Sequence, residues 1–127
     1  MCHQSVSLVA RHLEAAGIPT VVVGSARDIV ETCGVPRFLF VDYPLGNPCG
    51  RPWAPAEQKG LFAQALRLLE GAYGPRTTVQ APERWVEDPA ADRHWRENFM
   101  AIRDRKALAE AGAARRAAQA TGEKPVR

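Results

Sequence analysis

Two uninterrupted apolar runs constrain the fold of this chain more than any other feature of its sequence. The first covers residues 18–23 and is rich in β-branched side chains, and the second covers residues 38–41. An apolar run without polar alternation is typical of a strand buried on both faces of a parallel sheet. Helical patterns precede, separate and follow the runs. The sequence therefore predicts an α/β fold, a small parallel sheet with flanking helices (a Rossmann-like three-layer half) and right-handed crossovers.

Three helices are predicted around these strands. The first ends at Gly17 and presents an apolar face made of Val6, Val9, Ala10, Leu13 and Ala16. The second starts at Ser25, which forms a capping box with Asp28, and ends at Gly34. The third follows Pro55 and buries Leu61, Phe62, Ala65, Leu68 and Leu69. A weaker third strand is expected at residues 77–80.

We expect an α/β redox domain over residues 1–84 and a helical extension over residues 85–127. Each helix of a parallel α/β fold normally connects two strands, but the first helix has no strand before it. The chain is therefore expected to lack the first strand of its sheet, as a fragment, a truncated gene model or a subunit completed by another chain. The extension carries a stripe of Trp95, Phe99 and Ile102, followed by a basic tail that forms a protruding helix or is disordered.

Composition is typical of a cytoplasmic globular protein. The 127 residues are 46% apolar and 24% charged, with neither a membrane-spanning run nor a signal peptide. Three cysteines, an odd number, predict reduced thiols, and their spacing predicts no metal site. Much of the net charge of +3 comes from the tail, which has no interleaved aromatic residues. A solvated surface is therefore favoured over nucleic-acid binding.

Three segments are predicted to meet at one edge of the sheet. Cys2 lies at the start of the first helix, Ser25 follows the first strand, and the loop of residues 42–53 follows the second. Ligands of open parallel sheets bind outside the carboxyl ends of the strands. Unpaired N–H groups and the helix dipole favour an anion at a helix N-terminus, so the thiolate of Cys2 is the expected nucleophile.

Other side chains at this edge have a chemical interpretation and a structural alternative. His3 is a catalytic base or charge partner for the thiolate, or an exposed histidine. Ser25 holds a substrate carboxylate or caps a helix, and Asp42 orients an amine or caps the loop. Cys49 is a redox partner of Cys2 or an ordinary free thiol.

Three segments together resemble a known family: Cys2–Ser5, Glu14–Thr20 and Pro44–Pro48. They are similar to the selenoprotein B component of the glycine, sarcosine, betaine and D-proline reductases. In that family a selenocysteine or cysteine precedes a helix ending in an A-G-I-P segment, and a P-L-G motif follows the next strands. The resemblance covers about residues 2–70.

The resemblance implies reductive cleavage of a C–N bond in a small amino acid or its N-methylated derivative. Cys2 falls at the reactive position, either as the nucleophile or as a thiol that resolves a selenocysteine upstream of the chain. Pro44, Leu45, Gly46 and Asn47 match the family motif and are assigned to substrate binding, with a tight-turn role as the alternative for Asn47. The implied partners are other reductase subunits, a thioredoxin-like electron donor and a small amino-acid substrate, in an oligomer. No cofactor other than an upstream selenocysteine is implied.

Two further interpretations stay open. The chain is a non-catalytic α/β interaction module that binds a partner through the stripe beginning at Trp95, or it is a degenerate gene product. Replacement of Cys2 by Ala separates the module from the redox component, because a module has no activity to lose.

Overall fold

The computed structural model of the chain describes residues 2–98. The elements in this range are α1 (Cys2–Ala15), β1 (Val22–Gly24), α2 (Arg27–Cys33), β2 (Arg37–Phe40), α3 (Pro55–Gly71), β3 (Thr77–Gln80) and α4 (Pro89–Asn98). The chain divides into two compact units, one ending at Pro89 and the other beginning at Ala90. The predicted domain boundary after residue 84 stays a prediction. None of the helices within residues 2–98 has the length and apolar character needed to cross a membrane.

The described strands form one parallel sheet in the order β1-β2-β3. Val22 pairs with Phe38 across the first ladder, and Leu39 pairs with Val79 across the second. The predicted α/β class is confirmed, and so is the weaker third strand. Continuous apolar runs produce this arrangement because successive side chains of a strand point to opposite faces, and helices cover both faces here.

Two apolar clusters show that the fold has three layers. On one face of the sheet, Val22 and Phe38 pack with Ala10 of α1 and Val30 of α2. On the other face, the cluster joins strand residues to α3 and to the segment after β2, and consists of Leu39, Val41, Tyr43, Leu61, Ala65, Leu68 and Ala81. The sheet therefore lies between α1 and α2 on one side and α3 on the other.

The two connections between strands pass over opposite faces of this sheet. Both step across it in the same direction, from β1 to β2 and from β2 to β3. The handedness of a β–α–β crossover depends on its direction across the sheet and on the face that its helix covers. Because the two crossovers run in the same direction but use opposite faces, one of them is left-handed. The expectation that both are right-handed is wrong. The long irregular segment of residues 41–54 gives the chain enough length to reach the second face.

The helix ends follow the predicted local rules. Gly17 has φ +83°, and its N–H donates to the carbonyl of Glu14 while the N–H of Ile18 donates to that of Leu13, which is the Schellman pattern. Gly34 ends α2 with φ +70°, and Pro55 occupies the first turn of α3.

Several predicted buried positions are exposed. Val6 and Val9 are 45% and 56% exposed, and Phe62 is 66% exposed. Ala10 is buried as predicted, and the other buried residue of α1 is Ser7. Small side chains let the helix approach the sheet closely, and a 3.6-residue period does not choose between two overlapping faces of one helix. The side chain of Ser25 is also no helix cap: Ala26 is the N-cap residue of α2, without a side-chain hydrogen bond.

The second unit contributes α4 to the described range. The carboxylate of Asp92 accepts hydrogen bonds from Trp95 Nε1 and Arg96 Nε, both at 2.9 Å. These bonds lie within one helix and support its first turns. The other members of the predicted stripe, Phe99 and Ile102, and the basic tail lie outside the described residues.

Candidate functional site

A cleft of about 300 Å³ opens at the carboxyl edge of the sheet. It is lined by Cys2, His3, Val6, Val23, Gly46 and Pro48. The first turn of α1 supplies one wall, the end of β1 supplies the floor, and the loop after β2 supplies the opposite wall. Cys2 and two residues of the Pro44–Pro48 loop therefore line one cavity, and their chemical roles stay predictions.

Cys2 is the first residue of α1 and is exposed to solvent. The backbone N–H groups of a first helical turn have no partners within the helix, and the positive end of the dipole lies there. The other two thiols are placed differently: Cys49 is exposed on the loop, and Cys33 is partly buried on α2.

His3 connects the first turn of α1 to the end of β1. Its Nε2 accepts a hydrogen bond from the backbone N–H of Ser25 at 3.2 Å. The ring lies so close to Gly24 that a Cβ there would be 3.0 Å from His3 Cδ2. The close approach of the His3 ring therefore favours glycine at position 24. The lone pair of Nε2 is directed at the amide, so the neutral ring carries its proton on Nδ1, which is a hydrogen-bond donor.

Ser25 and Asp42, which were predicted to bind the substrate, lie outside the lining of the cleft. The backbone N–H of Ser25 already donates to His3. The buried Oγ of Ser25 has no hydrogen-bond partner within residues 2–98. Asp42 is half-buried at the start of the loop. Neither residue lines the cleft, so their roles in substrate binding remain predictions without direct support from the cavity.

Within the loop, Gly46 is the predicted residue that faces the cleft. It has φ +98°, and a Cβ there would meet no atom within 4 Å. Pro44 is buried and Leu45 is exposed. Asn47 donates its backbone N–H to the Pro44 carbonyl at 3.1 Å and its side-chain amide to the same oxygen at 3.4 Å. The tight-turn interpretation of Asn47 therefore has structural support.

An ion pair that the sequence reasoning missed ties this loop to α3. The carboxylate of Glu57 accepts hydrogen bonds from the backbone N–H of Arg51 at 2.8 Å and from its Nε at 2.7 Å, and lies 2.5 Å from its Nη2. Burial raises the pKa of Glu57, but the hydrogen bonds from Arg51 outweigh it and leave the pKa lowered. The sequence signal for this contact was Glu57, the third residue of a helix that begins with Pro55.

Tyr43 anchors the start of the same loop. Its side chain is only 3% exposed and packs edge-on against Trp85, with ring centroids 5.2 Å apart. Burial, with a further contribution from the neighbouring carboxylate of Glu57, raises the pKa of Tyr43 to about 12. The phenol therefore stays protonated at neutral pH.

Other features of the described chain do not extend this site. A groove of about 360 Å³ between α1 and α2 is lined by Gln4, Asp28, Ile29, Thr32 and Cys33. No group of three His, Cys, Asp or Glu side chains among residues 2–98 is close enough to bind a metal ion together. Cys33 thus faces a different surface from Cys2.

The fold and the cleft define a small α/β unit with a free thiol at the carboxyl edge of a parallel sheet. D-proline reductase subunit gamma from Acetoanaerobium sticklandii is 34% identical to the chain over 85 residues, which are 67% of the chain and 35% of that relative. The chain thus spans about a third of the length of this relative. The match supports a relationship with the proline and glycine reductase family. No family model matches the chain, and no solved structure matches it.

Proposed function

We propose that the chain is a thiol redox component of an amino-acid reductase, resembling selenoprotein B, that takes part in reductive C–N cleavage of a substrate such as proline, glycine, sarcosine or betaine. The observation that supports this most directly is the cleft, in which Cys2 on a helix N-terminus faces Gly46 and Pro48. The similarity to a D-proline reductase subunit supports the same chemistry.

The proposed reaction has two steps that balance. The thiolate of Cys2 attacks the α-carbon, a C–S bond forms, and the C–N bond breaks with its electron pair leaving on nitrogen, which takes up a proton. A second thiolate then attacks the sulfur of the thioether. A disulfide forms, and the C–S electron pair passes to the α-carbon, which is protonated. A thioredoxin-like dithiol reduces the disulfide and is itself oxidised.

The residues around the cleft have distinct parts in this proposal. Val6, Val23 and Pro48 contact the apolar body of the substrate, and Gly46 leaves room for its approach. His3 holds the first turn of α1 in place through Nε2, and the N–H of Nδ1 is a hydrogen-bond donor. Cys49, which follows Pro48 directly, supplies the second thiolate when Cys2 is the nucleophile. If a selenocysteine upstream is the nucleophile, Cys2 supplies the second thiolate instead.

The test uses the chain in the complex purified from its host. With D-proline, glycine, sarcosine or betaine and a dithiol, amine formation is measured, and without dithiol the Cys2 peptide is examined by mass spectrometry for a substrate adduct. Cys2→Ala is expected to lower turnover more than about 100-fold. Cys33→Ala, at a thiol remote from the cleft, is the matched control and should retain turnover. Equal turnover in wild type and Cys2→Ala would contradict the proposal.

A second function, partner binding without chemistry, is favoured by exposed aromatic side chains. Trp53 is 98% exposed at the end of the loop, and Phe62 is exposed on α3. Large apolar side chains at protein surfaces commonly belong to protein interfaces when they form a patch. If this is the function, Trp53→Ala weakens association within the complex while Cys2→Ala leaves both association and turnover unchanged.

A further inference from the structure

The wall of the cleft opposite Cys2 belongs to a segment without regular structure. Gly46 and Pro48 lie within residues 41–54, which join β2 to α3. The start of the segment is tied to the sheet, since Val41 N–H donates to the Gly24 carbonyl at 2.9 Å and Tyr43 is buried in the core. Around the cleft wall the bonds are local: Asn47 N–H donates to the Pro44 carbonyl, and Gly50 N–H donates to that of Asn47 at 3.2 Å. Such turns define the shape of this part of the loop but do not fix its position relative to the sheet.

The part of the loop that follows the cleft wall is held by bonds to the first turn of α3. Glu57 holds both the backbone and the guanidinium of Arg51, and Gln58 Nε2 donates to the Arg51 carbonyl at 2.8 Å. Gly50 lies directly against the same turn, since a Cβ there would be 2.9 Å from Gln58 Cγ. α3 is in turn packed on the sheet through Leu61. A continuous set of contacts thus runs from the sheet to the cleft wall.

The ion pair is well suited to this purpose. A carboxylate that accepts two N–H groups of one guanidinium and a backbone N–H of the same residue restrains that residue in both position and orientation. The interaction is also insensitive to pH near neutrality, because the pKa of Glu57 is lowered and that of Arg51 is raised. Both partners of the pair therefore stay charged near neutral pH.

We propose that Glu57 is a positioning residue for the cleft: through Arg51 it fixes the wall that contains Gly46 and Pro48, and so controls which electrophiles reach Cys2. This inference rests on the proposed function for the identity of the nucleophile. It adds to that function a residue outside the cavity on which the selectivity of the cavity depends.

The experiment compares two neutral thiol reagents of different shape, N-ethylmaleimide and iodoacetamide, on the purified full chain. Mass spectrometry gives the modification rate of each cysteine. Because the fraction of thiolate is the same for both reagents, it cancels in the ratio of the two rates at Cys2. The ratio then reports the shape of the cleft and not the acidity of the thiol. Cys33 is the internal standard for global unfolding.

Glu57→Gln is expected to change this ratio at Cys2 by about threefold or more toward that of an unstructured peptide thiol. Glu57→Asp, which retains the carboxylate, should restore part of the wild-type ratio. Glu31→Gln is the matched control, since Glu31 forms an exposed ion pair with Arg27 on α2. Amide hydrogen exchange at Asn47 and Gly50 should become faster in Glu57→Gln alone.

An unchanged ratio in Glu57→Gln overturns the positioning role, whether or not exchange in the loop becomes faster. An equal change in Glu31→Gln, or a matching change at Cys33, overturns it too, because the effect is then one of general destabilisation. The proposed reductase chemistry fails separately, when Cys2→Ala leaves turnover intact. The ratio at Cys2 requires no turnover, so the two failures are distinguishable.

Discussion

The two ends of the parallel sheet are built differently, although α1 spans both. At the amino end, Glu14 of α1 pairs with Arg37 of β2 at 2.8 Å and accepts the backbone N–H of Thr20 at 2.7 Å. At the carboxyl end, the backbone N–H of Ser25, which follows β1, donates to His3 of α1 beside an open cleft and an exposed thiol.

The two ends of the sheet therefore differ in role: one is stabilised by an ion pair and the other contains the cavity. The amino end is occupied by an ion pair that ties the end of α1 to β2, and the same carboxylate holds the segment before β1. The carboxyl end leaves a cavity in which helix N–H groups and a neighbouring loop face the same space. Parallel α/β folds generally place chemistry at the carboxyl end, because helix N-termini and variable loops meet there. Substitutions at each end of the sheet test whether the two ends differ in this way.

The largest effect is expected from Gly24→Val at the carboxyl end. A Cβ at this position meets His3 at 3.0 Å and Phe38 at 3.3 Å, so the substitution overpacks a buried site and should lower the free energy of unfolding by about 2–3 kcal/mol. Urea denaturation measures the loss. Gly60→Ala in α3, where a Cβ meets nothing within 4 Å, is the control and should be neutral or stabilising. Equal stability of wild type and Gly24→Val would show that His3 is not held against β1.

An effect of intermediate size is expected at high pH from Tyr43, which anchors the loop at the carboxyl end. Its pKa rises from 10.0 to about 12 on folding, so the folded state retains the proton more tightly. The associated stability is complete below about pH 10 and is lost between about pH 10 and pH 12, on the order of 2 kcal/mol.

Tyr43→Phe should remove this loss, so that its stability declines less than that of wild type over the same interval of pH. Unfolding in urea at a series of alkaline pH values measures it. Tyr73→Phe is the matched control, since Tyr73 is fully exposed and its hydroxyl lies outside the core. A variant curve parallel to that of wild type would mean that Tyr43 ionises normally in the fold.

The smallest effect is expected from Glu14→Gln at the amino end. The hydrogen bond from Arg37 lowers the pKa of Glu14 below 4.5 in the folded state. The stability from this pair is therefore present above about pH 4.5 and disappears as the pH falls through the lowered pKa.

Glu14→Gln should be slightly less stable than wild type near neutral pH, and the difference should vanish in acid. Urea unfolding at about pH 7 and about pH 2.5 gives the comparison. A difference of the same size at both pH values would assign the effect to packing and not to charge.

Sequence reasoning predicted much of the fold because its signals are local. The apolar runs predicted two parallel strands, and the positions of Gly17 and Gly34 predicted helix ends with positive φ, all of which are observed. The same reasoning brought Cys2 and the loop around Gly46 to one edge, because parallel strands end together. It misassigned the buried face of α1 and the capping role of Ser25, since both depend on how the helices are rotated against the sheet.

The sequence by itself determined the element types, the parallel sheet and the presence of a thiol at a helix N-terminus, because φ/ψ preferences and burial periodicity act over a few residues. Only the tertiary structure decided that one crossover is left-handed, that His3 meets Ser25, and that Glu57 holds Arg51 beside the cleft. These features depend on the packing of all the elements at once. Close packing of side chains sets that arrangement, and no local stretch of sequence contains it.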